Sequence, residues 1–306
     1  MSGVPTSHAR ASNLLAIGFL LVCVLPCALA WDQMRLLFKL VLENDTFSQI
    51  PLIPLVSVFL IFERRASIFA EVSFGWILGA SLLAPGMILL GVARPNLWQL
   101  SSTNSVCLLV LAIVLVWLGA FALFFGTRAF RAASFPLFFL LFMVPIPEPV
   151  LSKTIFLLQA GSSRMAEAFF GIMGVPYHRH GFVFELPGVA IRVAEECSGI
   201  RSTLALLITT VLASHILLKS PWKRLVLCIA VVPIAIFKNG LRIATLSTLA
   251  VYVNPAFLYG NLHRRGGIVF FAIALLPMTL LLKLLQRGEN PTSALPTGAS
   301  ARIPTI

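Results

Sequence analysis

Long apolar runs separated by short polar or basic segments make up most of the sequence between residues 14 and 285. Most of these runs approach the roughly 20 residues that an α-helix needs to cross the hydrocarbon core of a bilayer. The pattern therefore predicts an all-α integral membrane protein with about eight transmembrane helices. The predicted spans lie near residues 14–30, 48–62, 74–92, 104–126, 133–147, 199–218, 224–250 and 266–285.

Three of these spans allow a second interpretation. The second span is short and contains Pro51 and Pro54, and the seventh could be two pieces broken at Asn239-Gly240, because proline and glycine interrupt helices. The first span also resembles a secretory signal that ends in the small-x-small pattern Ala28-Leu29-Ala30. A retained anchor is the preferred interpretation, and either one places the following residue outside the cytoplasm.

A long segment, residues 148–198, is predicted to lie outside the bilayer as a small extracytoplasmic cap. Its first part, residues 151–174, has the amphipathic pattern of a helix that lies along the outer membrane interface. β-forming residues on both sides of Leu186-Pro187-Gly188 predict a short β-hairpin. Residues 1–287 are therefore expected to form one multi-span membrane domain, and residues 288–306 a disordered C-terminal tail.

Composition and charge support the membrane interpretation. Hydrophobic residues make up 58% of the chain and charged residues only 11%, which excludes an ordinary soluble enzyme because such a protein must show water a large polar surface. The formal charge of +12 comes from short basic clusters between apolar runs, as the positive-inside rule produces, rather than from a nucleic-acid-binding face. The clusters alternate with the spans, so both termini are predicted to be cytoplasmic.

Three reactive side chains are predicted to meet at the outer ends of the last three spans: Cys197, Arg242 and His263. A cysteine is nucleophilic as its thiolate, and a permanent cation such as Arg242 could stabilise that thiolate or the oxyanion of a tetrahedral intermediate. His263 could take or return a proton near neutral pH. The plainer alternatives are a packed thiol, an arginine that snorkels to the outer headgroups and an interfacial histidine.

Two sequence elements carry a family resemblance. The first is Ala194-Glu195-Glu196-Cys197-Ser198-Gly199-Ile200-Arg201, and the second is Asn239-Gly240-Leu241-Arg242-Ile243, followed by His263 before the last apolar span. With these elements and its multi-span layout, the chain resembles the exosortase/archaeosortase family of membrane transpeptidase-like cysteine proteases, in its bacterial branch. The resemblance implies that Cys197 is the nucleophile, Arg242 the catalytic arginine and His263 the catalytic histidine.

The resemblance also implies a substrate, a location and a reaction course. The substrates would be membrane-anchored proteins with a C-terminal sorting signal, made of a short motif that is often Pro-Glu-Pro, a transmembrane helix and a basic tail. The enzyme would lie in the bacterial inner membrane with its active site facing the periplasm. Attack by the cysteine would give a thioester, which water or a glycan or lipid acceptor would resolve. Neither a cofactor nor a nucleic-acid partner is expected.

Four further residues are supporting candidates for this site: Glu196, Ser198, Arg201 and Asn239. Glu196 and Ser198 flank the cysteine, and the Cys-Ser-Gly turn would aim backbone N–H groups at a developing oxyanion. Arg201 is expected one helical turn below Cys197, on the same helix face.

Other classes of site and function were weighed against this one. His178 and His180 have metal-ligand spacing on a predicted strand, but without a third ligand nearby in sequence they predict no metal site. A transporter or channel is the main alternative, because an intramembrane Arg242 and a broken seventh helix could mark a transport pathway. A non-catalytic membrane assembly factor is the third class, and activity without the Cys197 thiol would favour either alternative.

Overall fold

The structure is a computed structural model that describes residues 7–43, 47–93, 101–258 and 267–287. It is mostly helical and contains one small sheet. The described residues divide into two compact units. The first holds the residues up to Ala160 together with Ala194–Arg201, and the second holds Gly161–Val193 and the residues from Ser202 onward.

The first unit is built around one long apolar helix. Val110, Val114 and Ala120 of this helix are fully buried, and the helix is interrupted at Gly126, where the predicted fourth span ends. The helices of this unit are α1 (Ser7–Leu29), α2 (Trp31–Glu43), α3 (Leu52–Glu63), α4 (Arg65–Ile68), α5 (Trp76–Val92), the long helix α6 (Ser102–Ala132) and α7 (Ser134–Phe139), which a 3-10 turn (Leu140–Met143) extends.

The second unit contains most of the last three long helices and the small sheet. Leu206, Leu227 and Ala274 belong to its buried apolar core. Helix α8 (Glu148–Met173) enters it from the first unit, and a three-stranded sheet follows. The remaining elements are α9 (Ile200–Leu217), α10 (Pro221–Tyr252), a 3-10 turn (Pro255–Leu258) and α11 (Gly267–Arg287).

The structure does not confirm eight spans. Among the described residues, four helices are long and apolar enough to cross a membrane, namely α6, α9, α10 and α11. The number rises to six if the bent pairs α1–α2 and α7–α8 each count as one span, with bends of 81° and 86°. The predicted second and third spans correspond to α3 and α5, which are shorter, at 12 and 17 residues. The sequence correctly predicted that these segments are apolar, but their helices begin later than predicted, at Leu52 and Trp76.

The predicted β-hairpin is confirmed, and it has a third strand. Strands β2 (Val183–Leu186) and β3 (Val189–Arg192) pair antiparallel around Pro187-Gly188. Strand β1 (His178–His180) pairs with the other edge of β2, giving the order β1-β2-β3. The buried ring of Phe184 in β2 contacts Phe170 of α8, so aromatic packing holds the sheet against that helix.

The break considered at Asn239-Gly240 does not occur. Helix α10 runs without interruption from Pro221 to Tyr252, and both residues are buried within it. A glycine costs a helix about 1 kcal/mol relative to alanine, which a tight packing contact can offset. The predicted tail, residues 288–306, lies outside the described residues.

Candidate active site

Cys197 lies in a tight turn immediately before α9. A 3-10 turn covers Glu195–Ser198, and the Cys197 backbone N–H donates a hydrogen bond to the carbonyl oxygen of Ala194 at 3.0 Å. Gly199 then adopts a left-handed conformation with φ of 80°, which side chains disfavour, and α9 begins at Ile200. The cysteine side chain is partly buried. The expectation that the Cys-Ser-Gly turn opens a helix is therefore confirmed.

Ser198 has a local structural contact. Its side chain is buried, and its Oγ accepts a hydrogen bond from the backbone N–H of Ile200 at 3.4 Å. The first N–H groups of a helix have no partner within the helix, so this hydroxyl satisfies one of them. Ser198 thus helps to define where α9 starts.

The structure describes the side chain of Arg201 but not that of Glu196, the other two candidates beside the cysteine. Glu196 belongs to the same 3-10 turn, but its side chain is not among those described. Arg201 is exposed and is the second residue of α9. The left-handed Gly199 separates the turn from this helix. The expectation that Cys197 and Arg201 share one face of a continuous helix is therefore wrong. The physical reason is the positive φ at Gly199, which redirects the chain.

Arg242 and Asn239 occupy neighbouring turns of α10. Arg242 is half-buried, whereas Asn239 is almost fully buried. The Nδ2 of Asn239 donates a hydrogen bond to the Oγ of Ser162 in α8 at 3.1 Å. Both atoms belong to buried residues, so this bond ties α10 to α8 within the second unit.

Gly240 brings α10 close to α8. A Cβ at this position would lie 2.5 Å from the Cβ of Met165, well inside contact distance. A Cβ on Gly161 would likewise lie 2.8 Å from Ile236. Small residues at facing positions are the usual means by which helices approach closely in membranes. This packing and the Asn239 hydrogen bond fix the rotation of α10, and therefore the direction in which Arg242 leaves the helix.

Sequence reasoning did not single out Lys238, which lies one helical turn before Arg242. Its side chain is only 3% exposed, and its Nζ donates a hydrogen bond to the Oγ of Ser202 in α9. A lysine in the middle of a predicted span was the signal that could have revealed it, because a charged group there is costly and is usually functional.

The remaining candidates lie apart from this region or outside the description. His263 is not among the described residues, so its role stays a prediction. His178 and His180 are neighbours on β1, with ring centroids 4.5 Å apart. Within the described ranges, no group of three or more histidine, cysteine or acidic side chains has the arrangement of a metal site. A further histidine, His215, was not a candidate and lies near the other end of α9, where its Nδ1 is 3.5 Å from an Arg224 nitrogen.

The sequence model of a known family matches residues 31–280, and its description is transmembrane exosortase (Exosortase_EpsH). The matched interval is most of the chain and includes the turn with Cys197, all of α10 and the position of His263. This chain belongs to the transmembrane exosortase family. No curated protein and no solved structure matches it.

Family membership and the helices agree on the broad class of protein. Exosortases are membrane transpeptidases of the cysteine type, and the exosortase match covers the four helices that are long and apolar enough to span, apart from the last turns of α11. The chain is therefore a membrane protein of an enzyme family whose chemistry requires a cysteine.

Proposed function

We propose that this exosortase is a membrane cysteine transpeptidase that cleaves the C-terminal sorting signal of secreted proteins at the outer face of a bacterial inner membrane. The observation that carries the proposal is the family match, because it contains the Glu-Cys-Ser-Gly turn that opens α9. The substrate would present a Pro-Glu-Pro-like motif outside the membrane, followed by its own transmembrane helix and a basic cytoplasmic tail.

In the proposed reaction, Cys197 acts as a thiolate. Its Sγ attacks the carbonyl carbon of the scissile peptide bond, and the carbonyl oxygen becomes an oxyanion that the Arg242 guanidinium stabilises. The C–N bond then breaks, and His263 gives a proton to the departing amine. The result is a thioester between Cys197 and the N-terminal part of the substrate. A water or an acceptor amine attacks this thioester and loses its proton to the histidine, and the C–S bond breaks to release the Cys197 thiolate.

The turn before α9 supports the assignment of the nucleophile. Of the five cysteines, Cys23, Cys27, Cys107 and Cys228 lie within long helices, whereas Cys197 lies in an irregular turn. The backbone N–H groups at the start of an 18-residue helix carry a partial positive charge, which favours an anion at that end. These features suit a reactive thiolate rather than a packed thiol.

Helix lengths support the proposed depth of each residue. Helix α9 is about 25 Å long at about 1.5 Å per residue, so its first turn lies nearly one hydrocarbon thickness from the basic connection at Lys219. Along α10, Arg242 lies about 27 Å beyond Arg224. If this basic connection is cytoplasmic, as the positive-inside rule favours, each residue reaches the outer face.

The decisive experiment combines loss of processing with detection of the thioester. A reporter protein with a matching C-terminal signal is expressed with the full-length enzyme. Cys197→Ala should abolish its shortening, while Cys228→Ala, which removes a thiol within α10, should leave it unchanged. In a host without the natural acceptor, a higher-mass enzyme adduct should accumulate that neutral hydroxylamine cleaves. Full processing by the Cys197→Ala variant would refute the proposal and favour a transporter or assembly factor.

A further inference from the structure

The small sheet has a free edge on β3, the strand that precedes the turn with Cys197 in the chain. Strand β3 ends at Arg192, and four residues of sequence separate its end from the cysteine. One edge of β3 pairs with β2, and no described strand pairs with the other. An edge strand presents backbone N–H and C=O groups with which another extended chain can pair. This edge is therefore a preformed template for an extended peptide.

The pairing of β2 with β3 determines which backbone groups face the free edge. The N–H of Val193 donates a hydrogen bond to the carbonyl oxygen of Phe182 at 2.9 Å, so these two residues form a hydrogen-bonded pair. Such pairs alternate along an antiparallel ladder, so Ile191 also bonds to β2, whereas Ala190 and Arg192 direct their backbone groups away from it. Ala190 and Arg192 are both exposed. The free edge therefore offers the N–H and C=O groups of these two residues to an added strand.

The side chains of Ala190 and Arg192 lie on the sheet face that is turned away from α8. Alternate residues of a strand point to opposite faces, and Phe184 and Ile191 share the other face, where Phe184 packs against Phe170 of α8. A residue of an added strand that pairs with Arg192 would place its side chain on the same face as the guanidinium, directly beside it. This geometry favours a carboxylate at that position.

Contacts on the other face hold the sheet against α8. The Nη1 of Arg179 in β1 forms an ion pair with Oε2 of Glu167 in α8 at 2.5 Å. The guanidinium of Arg179 also lies 5.5 Å from the centroid of the Phe184 ring, and that ring is fully buried. A strand edge held in place in this way is preorganised, so less ordering entropy opposes the binding of a peptide.

The opposite edge of the sheet, on β1, shows the contrast. Strand β1 is three residues long, and Pro176 lies two residues before it. His178 and His180 direct their backbone groups towards β2, so within this strand Arg179 alone directs its own outward. Short strands and nearby prolines are the usual means of blocking an edge. Strand β3 therefore carries the edge that suits a partner strand.

We propose that the free edge of β3 binds the sorting motif of the substrate as an added β-strand, with the motif glutamate paired opposite Arg192. This inference rests on the proposed function, in which the substrate carries a Pro-Glu-Pro-like motif. Proline lacks an N–H and fits an edge strand where that group would face away from the ladder. When the glutamate faces β3, the prolines on both sides of it face away. The second proline also biases the glutamate towards extended backbone.

The arginine would select the motif, and the backbone would supply most of the affinity. In β-strand addition, main-chain hydrogen bonds bind any extended peptide, and side-chain neighbours determine which sequence is preferred. A glutamate opposite Arg192 is a cross-strand pair of opposite charge, which is favourable, whereas like charges are unfavourable. A second copy of this chain is a poorer occupant, because antiparallel pairing of two β3 edges would bring two copies of Arg192 near each other on one face.

The test measures capture of the substrate without cleavage. Full-length enzyme carrying Cys197→Ala is placed in nanodiscs with a membrane-anchored reporter that carries a photo-crosslinker on the N-terminal side of its Pro-Glu-Pro motif. Two reporters differ in the position of one additional proline, which lies either two or three residues after the glutamate. The first position would face β3, and the second would face away. This comparison leaves the enzyme unchanged, so it does not depend on the folding of any β3 variant.

The reporter with the proline at the inward position should be captured about fivefold less well, because it lacks an N–H that β3 would accept. The outward proline should leave the crosslinked yield unchanged. Arg192→Glu should lower capture of the Pro-Glu-Pro reporter about fivefold, and a Pro-Arg-Pro reporter should restore it, which also shows that the variant is folded. The matched control is Arg131→Glu, at an exposed arginine of α6, which should change neither yield.

Equal capture of the two reporters with a shifted proline would overturn the proposal, because a bound strand must alternate. A folded Arg192→Glu enzyme with unchanged preference for Pro-Glu-Pro would overturn the role of the arginine. A disulfide between two enzyme copies through Ala190→Cys, in a background without the native cysteines, would assign the edge to a second copy. Failure of the proposed function is seen separately, as processing by the Cys197→Ala enzyme or no processing by the unmodified enzyme. Capture does not depend on either outcome.

Discussion

The Nδ2 of Asn239 on α10 donates a hydrogen bond to the Oγ of Ser162 on α8 at 3.1 Å, and both side chains are buried. This bond lies one turn below Arg242, on a helix whose close packing leaves it little freedom to rotate. The asparagine of the Asn-x-x-Arg element therefore has a structural task, which is to set the position of the arginine.

Asn239→Ala should destabilise the protein by about 0.5–1.5 kcal/mol, because it leaves the Ser162 hydroxyl buried without this donor. Thermal unfolding in detergent measures the change, and reporter processing should slow as Arg242 loses its fixed orientation. The variants Asn239→Ala, Ser162→Ala and the double substitution form a cycle. Strictly additive effects would show that the bond contributes nothing to stability.

Gly240→Ala should destabilise the protein more than the addition of a single methyl group would suggest. The added Cβ would lie 2.5 Å from the Cβ of Met165, and neither atom can move without a shift of its helix. We expect a loss of about 1–3 kcal/mol and a lower cellular level of enzyme. Met165→Gly should restore part of the loss.

The matched control is Gly171→Ala on α8. A Cβ at that position meets no atom within 4 Å, so the substitution should be neutral or slightly stabilising. If the two alanine variants behave alike, close approach of α8 and α10 does not explain the glycine in the Asn-x-x-Arg element.

The proposed roles of Arg242 and His263 predict how substitutions at each residue change reporter processing. Arg242→Lys should impair processing severely, because an ammonium lacks the planar fork of a guanidinium, although the protein should still accumulate. His263→Ala should lose most activity through loss of the proton donor. His178→Ala, on the exposed strand β1, should be nearly silent. An active His263→Ala enzyme paired with an inactive His178→Ala enzyme would move the histidine assignment to the sheet.

The predicted orientation can be tested on intact cells. In a variant that retains only Cys197, a membrane-impermeant thiol reagent should label the cysteine from outside, slowly because the side chain is partly buried. A cysteine placed at the exposed Lys219 should react only after the inner membrane is permeabilised. The reverse pattern would invert the topology and place the candidate site in the cytoplasm.

Several local features could be predicted from the sequence because they depend on the preferences of only a few neighbouring residues. The turn at Pro187-Gly188 follows from backbone preferences, and the start of α9 after Cys197 follows from a Ser-Gly pair before an apolar run. The number of spans was less readable, because hydropathy reports how apolar a segment is but not where its helix begins or bends.

The sequence by itself determined the membrane class, since lipid demands long apolar helices. It also singled out Cys197 as the candidate nucleophile, since this cysteine alone lies outside the apolar runs. Only the tertiary structure showed that Asn239-Gly240 packs α10 against α8 and does not break α10. It alone revealed that Lys238 is buried and donates a hydrogen bond to Ser202. Both depend on which residues of a distant segment face α10, and helix-to-helix packing is not encoded in the local pattern of any one segment.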